Sequence, residues 1–264
     1  MYDKICHTTI QPYNESAVLK RNPSLTEQAK AYIKERIVND EFDEGRIPSE
    51  MDLADALGVS RTTIRDALSR LEHEGVIFRK QGAGTFVNNA GLQIKTRLEE
   101  IWTYEGMLRA HGYTPTTHIV SVEEQPANAD MAATLGLNPN DTILVVKKLF
   151  RADNSPVTLT VNHIPAAIIS QPYTKNDFRQ PIYKFLSDFC GQHLTYYLSE
   201  IVPLIAPKWL ADTLELPKQR SPILAFDEIG YNQDNEPIIK ACSYFRDDLL
   251  RLRLIRREAV QPDY

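Results

Sequence analysis

SEMDLADALGVSRTTIRDALSRL, residues 49–71, contains two helix starts separated by one tight turn. Ser49 can accept from the amides of a first helical turn, and Glu50 and Asp52 put negative charge where the helix dipole favours it. Leu53, Ala54 and Leu57 supply the buried face of that helix. Gly58 stands where the chain takes positive φ to turn, and Val59 packs within the turn. Ser60 caps a second helix in which Ile64, Ala67, Leu68 and Leu71 recur at helical spacing, and Gly75 closes it. Arg61, Thr62, Thr63 and Arg65 fall off that apolar stripe.

On the N-terminal side, Ser24 and Glu27 form a capping pattern, and Ala29, Ile33 and Ile37 share one face of a helix ending near Asn39. On the C-terminal side, VIFRK and TFVNN flank the loop QGAG, two β-prone runs joined through glycine. Helix, helix, turn, helix and hairpin make a winged helix-turn-helix, expected over residues 23–88 behind a flexible tail at 1–22. An α-helix fits the major groove of B-DNA. The second helix of such a pair lays its N-terminal residues on base edges, where Arg pairs with guanine and Thr meets a thymine methyl or a phosphate. The wing, Lys80 to Gly84, is expected to reach the neighbouring backbone or minor groove.

The 264 residues suffice for two ordinary domains. With 30 basic and 35 acidic residues the net charge is -5, which excludes a protein that coats nucleic acid through bulk electrostatics and confines DNA binding to positioned contacts. No run approaches the roughly 20 apolar residues that span a bilayer, and the N-terminus lacks a signal-peptide core, so a cytoplasmic protein with no membrane partner is expected. Cys6, Cys190 and Cys242 are too few and too scattered for a disulfide framework and are read as free thiols.

Residues 89–98 read as a linker, followed by an amphipathic helix around 99–111. Beyond it, period-two stretches such as THIVSVEE, TILVVKKLFRA, SPVTLTVNHI and PILAFDEIGY alternate with short helices at NADMAATLG, IYKFLSDF and PKWLADTLE. The fold class is therefore α+β, with a mostly antiparallel sheet in a second domain at 99–260.

The PSE opening, the LGVSRTTIRDAL core and the GAGTFV wing resemble the DNA-binding domain of the GntR family of bacterial regulators over residues 24–88. The resemblance implies DNA contacts at Arg61, Thr62, Thr63 and Arg65, at the wing around Gly82, and near the backbone at Ser49 or Glu50. Met51 departs from the basic residue many members carry there. It also implies a homodimer on an inverted-repeat operator, matching two-fold protein to two-fold site.

WTYEGMLRAHGYTP, LFRADNSPVTLTVNHIP, PIYKFL and NEPIIKACSYFRDD make the second half similar to the UTRA domain of the HutC-like subfamily, whose fold resembles chorismate lyase. Relatives that sense phosphorylated amino sugars grip the ligand with side chains on these motifs. The helix-opening serine becomes Thr103, two arginines become Lys148 and Phe150, a glutamate becomes Thr160, and a serine becomes Pro181 beside the retained Tyr183. The late glutamate and tyrosine become Ile239 and Phe245. Losing those charged grips leaves sugar and phosphate oxygens unpaired at about 1–3 kcal/mol each. The expected effector is thus no phosphorylated amino sugar. It is a flatter or more apolar metabolite, with one carboxylate held by Lys148 or by the helix end at Thr103. Beside this stands the reading of Phe150, Ile239 and Phe245 as ordinary core residues.

No catalytic constellation, cofactor motif or metal site is called for. Cys190 and His193 lack two further ligands, and Asp227 with Glu228, or Asp247 with Asp248, point to opposite faces of a strand and are read as structural or solvated. The expected function is a transcription repressor released by a small molecule through the 89–98 linker. The alternative is a chorismate-lyase-like enzyme with an accessory DNA-binding domain.

Overall fold

A computed structural model describes residues 23–94, 96–98, 100–217, 221–246, 252 and 255–256, so the expected tail at 1–22 and the Asp247–Asp248 pair lie outside the described residues. The chain divides into two compact units, Met1–Gln93 and Ile94–Tyr264. Among the described residues no helix is long and apolar enough to cross a membrane.

The first unit runs α1 (Leu25–Val38), β1 (Arg46–Ile47), α2 (Glu50–Leu57), α3 (Arg61–His73), β2 (Ile77–Lys80), β3 (Gly84–Val87) and α4 (Asn89–Leu92). Ile33, Ile64, Leu68 and Leu71 meet in its core with almost no exposure. Removing each of those side chains from water contributes about 1.5–3 kcal/mol. The strands form an antiparallel sheet in the order β1-β3-β2, in which β2 and β3 are the hairpin read from the sequence and β1 is added by Arg46 and Ile47. The expected linker differs from what is observed at its start. Residues 89–92 form a helical turn, Gly91 is buried and Leu92 packs against the core of this unit. The approach is so close that a Cβ on Gly91 would stand 1.8 Å from the Gly75 carbonyl oxygen.

The second unit contains α5 (Tyr104–Ala110), β4 (Pro115–Pro126), α6 (Ala129–Leu135), β5 (Thr142–Ala152), β6 (Ser155–Pro165), α7 (Ile182–Cys190), β7 (Leu194–Ile205), α8 (Lys208–Thr213), β8 (Pro222–Asn232) and β9 (Pro237–Phe245). One six-stranded antiparallel sheet has the order β4-β5-β6-β9-β8-β7, two meanders joined along β6 and β9. The helix expected around 99–111 begins only at Tyr104, because Thr103 takes extended φ/ψ and its Oγ1 accepts from Gly106 N at 2.9 Å. On one sheet face, Leu149, Leu159 and Ile223 pack under Leu210 of α8 and Leu214 at its C-terminal cap, and Ile143 and Val145 under Ala132 and Leu135 of α6. On the other, Phe150, Phe226 and Phe245 pack under Met107 and Leu108 of α5, while Leu144, Val146 and Ile239 pack under Phe185 and Leu186 of α7.

Candidate DNA-reading head and effector cavity

Two helix starts build the reading head. At the first, Ser49 Oγ accepts from Asp52 N at 3.2 Å while the Asp52 carboxylate accepts from Ser49 N at 3.3 Å, a reciprocal capping box. At the second, Ser60 Oγ accepts from Thr63 N at 3.1 Å and lies 2.8 Å from Thr63 Oγ1. Gly58 between them has φ of 63°. Arg61, Thr62 and Arg65 lie on the exposed side of α3, opposite Ile64, Ala67 and Leu68, and Thr63 is half-buried.

Glu50 is only 20% exposed in its side chain, and its Oε2 accepts from both Arg61 Nε and Arg65 Nε at 3.3 Å, with Arg79 Nη2 3.9 Å from Oε1. It holds arginines, whereas its own charge would repel a phosphate. Such exposed pairs are worth only about 0–1 kcal/mol, so the guanidinium groups stay available to a stronger acceptor. The wing turns through Gly82, at φ of 73° with open space where a Cβ would stand. Arg46 and Arg79 are further exposed arginines of this unit that were not singled out in the sequence; Arg46 sits on β1, a strand whose pairing is not visible there.

In the second unit a cavity of about 570 Å³ opens between the α5 and α7 clusters, over the middle of the sheet. Its floor follows the strand register: Lys148 pairs with Thr160, Thr160 with Ser243, and Ser243 with Phe226, while the next row runs Asn162, Ala241, Glu228, Ser199. Of the residues carried over from the resemblance, Thr103, Lys148, Phe150, Thr160 and Tyr183 line this cavity. Ile239 and Phe245 do not; they share its sheet face but lie at the two ends of β9, filled by the α7 and α5 clusters. The Thr103 helix end is also a poor anion holder, since α5 has only 7 residues and Thr103 Oγ1 is already engaged. Glu228, read as structural or solvated, instead faces the cavity, while its neighbour Asp227 meets Cys242 and Lys240 on the other face.

Electrostatics follow from burial. Lys148 is 3% exposed, its Nζ donates to the Gln180 carbonyl at 2.9 Å and sits 5.4 Å from the Phe150 ring, and burial pushes its pKa down to about 8 against the pull of Glu105. Burial raises the Glu228 carboxyl, opposed by the hydrogen bond donated by Ser199 Oγ at 2.6 Å. The Tyr104 hydroxyl, its pKa raised by burial, donates to Ser243 Oγ at 2.5 Å. Trp102 Nε1 is buried in the wall without an acceptor. Among the described residues no three His, Cys, Asp or Glu side chains converge as metal ligands.

Family models for the bacterial regulatory proteins of the gntR family and for the UTRA domain match residues 25–87 and 110–251 respectively. The chain belongs to the GntR family, with a UTRA domain. This GntR regulator is 25% identical to the HTH-type transcriptional repressor NagR of Bacillus subtilis over 85% of its length and 89% of that protein. It is 30% identical to the histidine utilization repressor of Pseudomonas putida over 56% of its length and 61% of that protein. PhnF from Mycobacterium smegmatis shares the fold at TM-score 0.54 and 20% identity, covering 88% of the GntR regulator and 100% of that chain. The α+β fold class matches the expectation, and the family is one of bacterial regulatory proteins.

Proposed function

We propose that this GntR regulator is a repressor that binds an inverted-repeat operator as a homodimer and leaves it when a small metabolite enters the UTRA cavity. The observation that carries this reading is the exposed N-terminal end of α3. A rigid capped helix presents Arg61, Thr62 and Arg65 outward, pre-aligned by Glu50. In support of a dimer, β7 ends the sheet with Leu198 and Val202 exposed, an apolar open edge of the kind proteins otherwise protect. Mobility shift with the DNA upstream of its own coding sequence is the test: a discrete complex that survives nonspecific competitor, and is lost with Arg61→Ala plus Arg65→Ala, is the expected result.

The effector of this reading is not a phosphorylated amino sugar. Among the described residues Lys148 is the one cation on the cavity wall, beside Glu100, Glu105 and Glu228, which disfavours a dianionic phosphate. Release requires the effector to prefer the DNA-incompatible arrangement. A hundredfold preference per dimer corresponds to about 2.7 kcal/mol, and operator DNA must then weaken effector binding by the same factor.

A further inference from the structure

The cavity wall carries two charges of opposite sign that do not meet, Lys148 buried and Glu228 half-buried. Among the described residues Lys148 makes no ion pair: its ammonium donates to the Gln180 carbonyl, and the Glu105 carboxylate acts on it without contact. Glu228 likewise has the Ser199 hydroxyl and no cation within the cavity. A charge removed from water without a contacting counter-ion is costly, and a ligand group of opposite charge recovers part of that cost on binding.

The sheet sets their separation. Lys148 lies on β5 and Glu228 on β8, with β6 and β9 between, and the row through Lys148 meets β8 at Phe226, two residues from Glu228. Three strand spacings and two residues of rise put their backbones roughly 16 Å apart. Both side chains stand on the same sheet face, roughly perpendicular to it, so this separation favours a molecule whose charges lie apart over one that carries both on a single carbon. The space between is walled by Trp102, Tyr104 and Phe226 and floored by Thr160, Asn162 and Ser243. Aromatic faces suit a flat body, and the unpaired Trp102 Nε1 offers it a donor.

Resting on the assignment of this cavity as the effector site, we propose that the effector is a zwitterion with its charges at opposite ends of a flat body, carboxylate at Lys148 and ammonium at Glu228. An α-amino acid, a simple acid and a simple amine each satisfy one end only.

Titration calorimetry on the full chain tests this with para-aminomethylbenzoate, phenylalanine, benzylamine and benzoate. The para-aminomethyl acid is expected to bind at least about tenfold tighter than the other three. Lys148→Gln should erase its advantage over benzylamine, and Glu228→Gln its advantage over benzoate, with circular dichroism confirming that both variants fold. Equal affinity for singly and doubly charged probes, tightest binding of phenylalanine, or no heat with any probe would overturn the assignment. A mobility shift on the same preparation separates the two readings: a chain that shifts its operator but lacks these preferences loses only the zwitterion, whereas one that shows them without binding DNA loses only the repressor.

Discussion

An acidic side chain at Glu50 would be unfavourable beside DNA on the proposed reading, and its bonds to Arg61 and Arg65 give a physical reason for its presence. Glu50→Gln removes both the repulsion of phosphate and the anchor of the two guanidinium groups. Affinity for random DNA should therefore rise while the specific-to-random ratio falls several-fold, as read by competition mobility shift at fixed salt. Arg65→Ala alone should lower operator affinity by about 1–3 kcal/mol if it reads a base. At Lys148 the sign of the pH effect is fixed by burial. Its folded pKa of about 8 lies below the ordinary lysine value of 10.5, so the folded state holds fewer protons between those values. This lysine thus penalises folding most below pH 8, and the penalty fades as pH climbs toward 10.5. Thermal melts of Lys148→Met against the parent should differ most near neutrality and converge in alkali. Carboxylate-ligand affinity should fall as pH passes upward through about 8.

At the scale of elements, the closest fit in the reading head is α4 against the end of α3. Gly91→Ala brings a methyl group against the Gly75 carbonyl, whose rigid backbone cannot swing aside as a side chain would. Loss of about 1–3 kcal/mol is expected, visible as a lower melting temperature of the DNA-binding unit. The first three helix starts were legible because capping is local, Ser24, Ser49 and Ser60 each bonding an amide three residues on, whereas the start at Thr103 was missed by periodicity, which put that helix around 99–111. The cavity was legible only in part. Phe150, Ile239 and Phe245 share one sheet face, but which of them a helix covers depends on where α5 and α7 land, and no local pattern encodes that.

For the whole molecule, the repressor reading depends on two copies of the reading head acting on one operator. Leu198→Asp with Val202→Lys places charge on the exposed β7 edge without entering the cavity. Light scattering should then show monomer, and operator affinity should fall by at least about tenfold, since each head alone makes half the contacts. An unchanged dimer would place the interface elsewhere on the chain.

The sequence by itself determined the capped helix pair with its outward arginines, the winged hairpin, and the alternation that makes an antiparallel α+β unit, because each depends on residues a few positions apart. Only the tertiary structure decided that Glu228 and Lys148 face one cavity, that Ile239 and Phe245 are plugged by helices, and that residue 91 must be glycine. Those outcomes follow from strand order and from contacts between elements distant in sequence, where register and helix placement, rather than local preference, set what a side chain meets.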